Sequence, residues 1–259
     1  VVSLHTRNDK LDMDGDATNG NSYQNRSTFG QSHKTNGNTR YFYNLDGAYD
    51  RCEGGFSGGQ INTADKLLLW SAFCYAPAGI RSTIVPDGTT GLDGSITITG
   101  TIDLAGYSYY PTQPIGEVTV NNAAITFYYS KIKAEQNGNK LNSDATQHEN
   151  MHCGLFQTVA DGDLTVSNVT LGGTVGPVIN DGKSSTDAIG AGGSSSGALV
   201  CRYVYGSSDG NGTKIRKISI DGLTLNNLIV DGANSATDAN AYMPLLINEI
   251  QKYVSLNAK

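Results

Sequence analysis

The sequence predicts an all-β chain folded as a right-handed parallel β-helix, a solenoid whose start is closed by an N-terminal helix and loop cap. Three observations lead to this expectation. From Gly94 onward, short runs alternate apolar and polar residues with period two, the mark of half-buried strands. One layout then recurs, starting at Gly154, Gly197 and Pro244: a short apolar strand, a variable loop, then a Val/Ile/Leu–Ser/Thr strand with an Asn-Val or Gly-Leu step. That spacing falls in the roughly 20–50-residue range of stacked repeats. Finally, charged residues are only 16% and Gly numbers 32, a composition suited to strands and turns rather than helices. An antiparallel sandwich competes poorly, because it needs regular short hairpins, whereas residues 131–151 and 181–197 make long interruptions.

The chain divides into residues 1–93, a loop-rich segment ending in a capping helix, and residues 94–259, the coils of the solenoid. Residues 7–44 are polar and lack sustained periodicity, so they are expected to be loops, anchored by Tyr41, Phe42, Tyr43 and Tyr49. A helix is predicted next. Asn62-Thr63 offers an N-cap and Asp65 suits the positive first turn. Leu67, Leu68, Leu69, Trp70, Phe73 and Cys74 give the helix an apolar surface wider than one stripe, so it should be buried, and Pro77 and Gly79 stop it. Its place just before the first strand is where an open solenoid end needs covering. In residues 95–104, Ile96, Ile98, Ile102 and Leu104 share one face, and Val118, Val120, Ile125 and Phe127 continue the pattern. The three repeats complete the chain with Leu164 to Leu171, Ile218 to Leu225 and Val254 to Leu256 as their alternating strands.

Lys+Arg total 18 against 24 Asp+Glu, a net charge of −6, and no basic stripe is present, which argues against nucleic acid as a partner. No apolar run is long enough to insert into a membrane. Hydrophobic residues at 38% still suffice for one sizeable core. Low charge and 14 Tyr suit an extracellular or cell-surface setting, and the chain ends suggest a mature form or an excised fragment. Cys52, Cys74, Cys153 and Cys201 form no Cys-x-x-Cys pair, so neither a zinc ribbon nor a redox motif is indicated. Four cysteines permit three disulfide pairings, and the favoured reading is buried free thiols acting as small apolar side chains.

Several phrases, held in order, are shared with a known group. Tyr43-Asn44-Leu45-Asp46, Ala64-Asp65-Lys66-Leu67-Leu68-Leu69-Trp70, Ile102-Asp103-Leu104-Ala105-Gly106-Tyr107-Ser108-Tyr109-Tyr110-Pro111, His152-Cys153-Gly154-Leu155-Phe156 and Pro244-Leu245-Leu246-Ile247-Asn248 span most of the chain. With them the chain resembles a β-helical module of very large adhesin-like cell-surface proteins of gut Firmicutes. The resemblance implies a surface module, one segment of a longer polypeptide, that binds host glycan or protein without catalysis. It carries over no catalytic residues.

Four constellations carry candidate chemistry. Asp12, Asp14 and Asp16 set three carboxylates at alternating positions in a Gly/Asn-rich loop, hard oxygen ligands suited to calcium, although the EF-hand pattern fails at Ala17 and Tyr23. His148-Glu149-Asn150-Met151-His152 has the H-E-x-x-H spacing, in which His148 and His152 would bind zinc and Glu149 would act as general base. Its polar, Gly-containing approach and the missing third ligand favour a structural role, leaving a zinc hydrolase as the alternative function. Asp161 and Asp163 could pair as in β-helical carbohydrate-active enzymes, but an Ala-Asp-Gly-Asp turn uses Asp for local hydrogen bonds. Tyr107, Tyr109, Tyr110, Tyr128 and Tyr129 could form a stacking platform for sugars, or line a corner of the coil with buried rings.

Overall fold

The computed structural model describes residues 33–35, 38–40, 46–76, 78–104, 109, 111–127, 154–175, 198–209, 212–230 and 245–259. Near the start, β1 (His33–Thr35) and β2 (Asn38–Arg40) pair antiparallel, and α1 (Asp46–Arg51) follows. The two strands correct the expectation of loops throughout residues 7–44, and α1 is a helix that the sequence did not announce. Strands of three residues and a helix of six are too short to show a period. Tyr49 is buried as expected.

After the two-residue β3 (Gln60–Ile61), the predicted helix forms as α2 (Ala64–Tyr75). Thr63 caps it, its side chain accepting a hydrogen bond from the Lys66 amide at 3.3 Å. Asp65 sits in the first turn and its carboxylate also accepts hydrogen bonds from Arg51 Nε at 2.8 Å and Nη2 at 2.7 Å, fastening α1 to α2. Leu67, Leu68, Leu69 and Trp70 are fully buried, as the wide apolar surface required. A 3-10 turn (Ala78–Thr83) follows.

The remainder is strand: β4 (Ile96–Asp103), β5 (Val118–Phe127), β6 (Phe156–Val159), β7 (Leu164–Val175), β8 (Cys201–Val204), β9 (Ser207–Asp209), β10 (Gly212–Lys214), β11 (Arg216–Val230), β12 (Ile247–Ile250) and β13 (Val254–Ala258). Six of the strands form one parallel sheet in the order β3-β4-β5-β7-β11-β13. A second parallel sheet runs β6-β8-β12, extended at one edge by a bridge from Thr112 to Phe156. The described residues are therefore mostly strands with few helices, compatible with an all-β fold, and the sheets are parallel apart from the short antiparallel pairs β1-β2 and β9-β10. Within each parallel sheet the strands succeed one another in chain order. From β6 onward the chain visits the small sheet and then the large one, three times over, which matches the repeat seen in the sequence.

In-register pairing lines up Ile96, Val118, Leu164 and Ile218 in one buried row and Ile98, Val120, Val166 and Ile220 in the next. The rows join α2 in a single apolar core, with Trp70 meeting Phe156 edge to face at a centroid distance of 6.4 Å.

The middle of each long strand departs from strict alternation. Asn121 and Asn122, and likewise Ser167 and Asn168, are consecutive residues outside the core, after which burial resumes at Ala123 and Val169. The cause is backbone handedness. Asn122 and Asn168 have φ of 46° and 52°, and Gly222, at the equivalent place in β11, has 70°. One left-handed residue turns the strand so that both halves face the same core, and Asn and Gly tolerate that conformation best. The Asn-Val and Gly-Leu steps of the repeat are these bends. The Asn168 side-chain amide donates to the Asn122 Oδ1 at 2.7 Å, linking successive bends. Replacing Asn168 with Ala should cost about 2–3 kcal/mol, left-handed strain plus one hydrogen bond, whereas Asn168→Gly should lose only the smaller hydrogen-bond share. Urea unfolding of both variants separates the two contributions, and equal losses would refute the assignment of strain.

Candidate functional site

Two of the predicted constellations fall on residues outside the described ones: Asp12, Asp14 and Asp16, and His148, Glu149 and His152. So do Tyr107, Tyr110, Tyr128, Tyr129 and Cys153. Among the described residues, no group of three or more His, Cys, Asp or Glu side chains is placed to hold a metal ion.

Tyr109 is no platform. Its ring is fully buried, and its hydroxyl donates to the Leu155 carbonyl at 2.6 Å and lies 2.9 Å from the Thr112 hydroxyl. Burial, the largest influence, pushes the phenol far above its ordinary range despite the Thr112 bond. Asp163 is also structural: its Oδ1 accepts the Lys217 amide at 2.9 Å and its carbonyl accepts the Val118 amide at 2.9 Å, tying the passes on either side. Asp161 stands exposed beside it.

Cys52, Cys74 and Cys201 are buried free thiols, as the sequence suggested. Burial pushes Cys74 and Cys201 up from 9.0 to about 12, and Cys52 to about 11, where the nearby Asp65 carboxylate adds to it. All three are unreactive protonated thiols at neutral pH. An unfolded thiol releases its proton near 9.0 while Cys74 and Cys201 hold theirs to about 12. The unfolded state then binds fewer protons, so this contribution to stability is whole below pH 9 and declines as pH rises toward 12. Melting curves should fall over that window. A thiol reagent at pH 8 should leave these three sites unlabelled until denaturant is added; prompt native labelling of any of them would contradict the burial argument.

The structure brings together a site that the sequence did not announce. Loop residues 86–93 lie against residues 54–59, the Thr90 amide donating to the Phe56 carbonyl at 2.9 Å and the Gly59 amide to the Thr90 carbonyl at 3.4 Å. The approach is possible because glycines meet: a Cβ on Gly55 would strike Gly88 and Thr89, and one on Gly91 would lie 2.8 Å from the Gly59 nitrogen. Between this loop, α2 and the 3-10 turn is a cavity of about 430 Å³. Phe73, half buried, contributes an aromatic wall, with the Arg81 guanidinium 5.7 Å from its ring centre. Ser82, Thr89, Thr90, Asp87 and Asp93 supply hydroxyl and carboxylate oxygens, and the Thr89 Oγ1 is buried with no hydrogen-bond partner among the described residues. A turn-rich Pro-Asp-Gly-Thr-Thr-Gly-Leu-Asp stretch is the only local signal, and it reads as loop unless Phe73 is known to face it.

No family model, no curated protein and no solved structure matches this chain.

Proposed function

We propose that the chain is a right-handed parallel β-helical module of an extracellular surface protein, acting by binding and not by catalysis, with the cavity beside Phe73 as its glycan site. What supports the solenoid is the chain-order, in-register stacking of both parallel sheets. The right hand follows from the near-universal chirality of crossovers between parallel strands. What supports the glycan is the lining of the cavity. An aromatic ring offers a face for sugar C–H groups, while carboxylates and hydroxyls accept and donate to sugar hydroxyls. The space suits one or two pyranose rings and lies in the usual range of roughly 300–1,000 Å³ for ligand sites. Calcium on Asp12, Asp14 and Asp16 would order the N-terminal loops, and the module would be one segment of a longer surface polypeptide.

Saturation-transfer NMR with a panel of methyl hexosides and N-acetylhexosamines tests the site. Transfer to at least one glycoside is expected, and loss of it in the Asp87→Asn/Asp93→Asn double variant, whose two positions are exposed and leave the core intact. Absence of transfer across the panel would remove the glycan reading and turn the search to a protein partner. Proteolysis that stops on chelation and in a folded Glu149→Gln variant would instead establish the zinc hydrolase.

A further inference from the structure

The corner between the small sheet and the large one is not built alike in the three passes. Residues 160–163 make the step from Val159 to Leu164, and residues 251–255 make it from Ile250 to Leu256, positions that the register equates. The middle pass uses residues 205–217 for the same step, from Val204 to Ile218, and the added length is the β9-β10 hairpin, closed by the pairing of Ser207 with Lys214. Insertions of this kind in a single repeat often carry a binding surface. The hairpin base gathers cations. The Gly206 amide donates to the Lys252 carbonyl at 3.0 Å and the Arg216 amide to the Tyr253 carbonyl at 2.9 Å. A Cβ on Gly206 would strike the Tyr253 carbonyl and lie 2.5 Å from that of Lys214, so the backbones bearing Lys214, Arg216 and Lys252 converge on one glycine. None of these three side chains forms an ion pair among the described residues. Of the acids close by, Asp163 accepts the Lys217 amide, Glu249 accepts the Gln251 side-chain amide, and Asp161 stands exposed. Period two puts Arg216 on the core side of β11 with Ile218 and Ile220, and its Nε is buried without a hydrogen-bond partner among the described residues. Tyr205 and Ile215, on either side of the hairpin, are 38% and 56% exposed. Tyr205, Lys214, Ile215 and Arg216 all belong to the middle pass, which has a pass on each side of it.

We propose that this corner is a second binding site, separate from the cavity beside Phe73, and that it takes the carboxylate or sulfate group of an acidic glycan. A half-buried guanidinium with a bond left unmade is costly. An oxyanion that accepts from Nε and a terminal nitrogen together supplies that bond in the paired geometry that Arg favours. Lys214 and Lys252 add point charges, and the exposed Tyr205 ring offers a face to sugar C–H groups. The chain as a whole carries a charge of −6, so the attraction for an anion is local to this corner. A sugar as the carrier of the anion rests on the surface-module reading, whereas the demand for an anion rests on Arg216 and its neighbours alone.

Calorimetric titration of the full chain with a galacturonate oligomer, a heparin-derived oligomer, a neutral maltooligosaccharide and inorganic sulfate tests the proposal. Binding of at least one acidic oligomer, and not of the neutral one, is expected, and it should weaken as salt is raised. Arg216→Lys keeps the charge but loses the paired geometry, and should weaken binding about tenfold. The Lys214→Gln/Lys252→Gln double variant alters two exposed positions and leaves the core intact, so a loss of affinity there cannot come from misfolding. Lys259→Gln, an exposed cation outside the corner, should bind as the parent does. Failure of both acidic oligomers to bind, or parental affinity in both the Arg216→Lys and the double variant, would overturn the proposal. Sulfate bound as tightly as the oligomers, with the same losses in the variants, would overturn the sugar as the carrier of the anion.

Discussion

Gly154→Ala should destabilise the protein by about 3–5 kcal/mol, among the largest losses available to a single methyl group. Gly154 is buried ahead of β6 with φ of +121°, a conformation side chains rarely adopt. An added Cβ would overlap the Ala198 carbonyl oxygen on the following pass and lie 2.8 Å from the Leu199 oxygen. The obstacle is backbone, so rotamer changes cannot relieve it. The Leu155 amide donates to the Leu199 carbonyl at 3.1 Å, and opening a gap for the methyl group would break that ladder as well. Gly79→Ala is the matched control, since a Cβ there meets nothing within 4 Å and φ is ordinary, and it should be neutral. Thermal melts of both variants decide the matter; a Gly154→Ala protein within about 1 kcal/mol of the parent would show that the passes are not spaced as closely as described.

The second large effect is at Trp70. Its indole is wholly buried between α2 and the small sheet, edge-on to Phe156, and removing it as Trp70→Ala should cost about 3–5 kcal/mol through lost contacts and a cavity. The indole nitrogen is also buried without a hydrogen-bond partner among the described residues. Trp70→Phe removes that unsatisfied donor while keeping an aromatic ring against Phe156, so its cost should be well below that of the alanine variant. Circular dichroism in urea measures both, Trp fluorescence being lost. Equal destabilisation by Phe and Ala would mean that the indole nitrogen is engaged. If α2 shields the start of the stack, Trp70→Ala should also raise binding of a hydrophobic dye.

The sequence by itself determined what depends on near neighbours along the chain. Thr63 capping α2, the burial of Leu67 to Trp70, and the inward set Ile96, Ile98, Ile102 and Leu104 all came from local sterics and period, which one segment carries without help from another. The triple repeat was visible for the same reason, and with it the parallel strands. Elements too short to hold a period, β1, β2 and α1, escaped. Tertiary structure decided everything that depends on contacts between passes. The Asn-Val step was legible as a motif, but that it bends the strand, and that Asn168 bonds to Asn122, follows from a register joining residues in different strands. Tyr109 left two readings open in the sequence, a platform or, favoured, a buried ring at a corner; the placement of Leu155 and Thr112 around its hydroxyl decided for burial. The cavity needed Phe73 of α2 beside the loop of residues 86–93, a loop that is itself packed on residues 54–59 through glycines the sequence separates. Periodicity states which side of a strand is apolar, whereas the residue that meets it is fixed by stacking, a property of the whole chain.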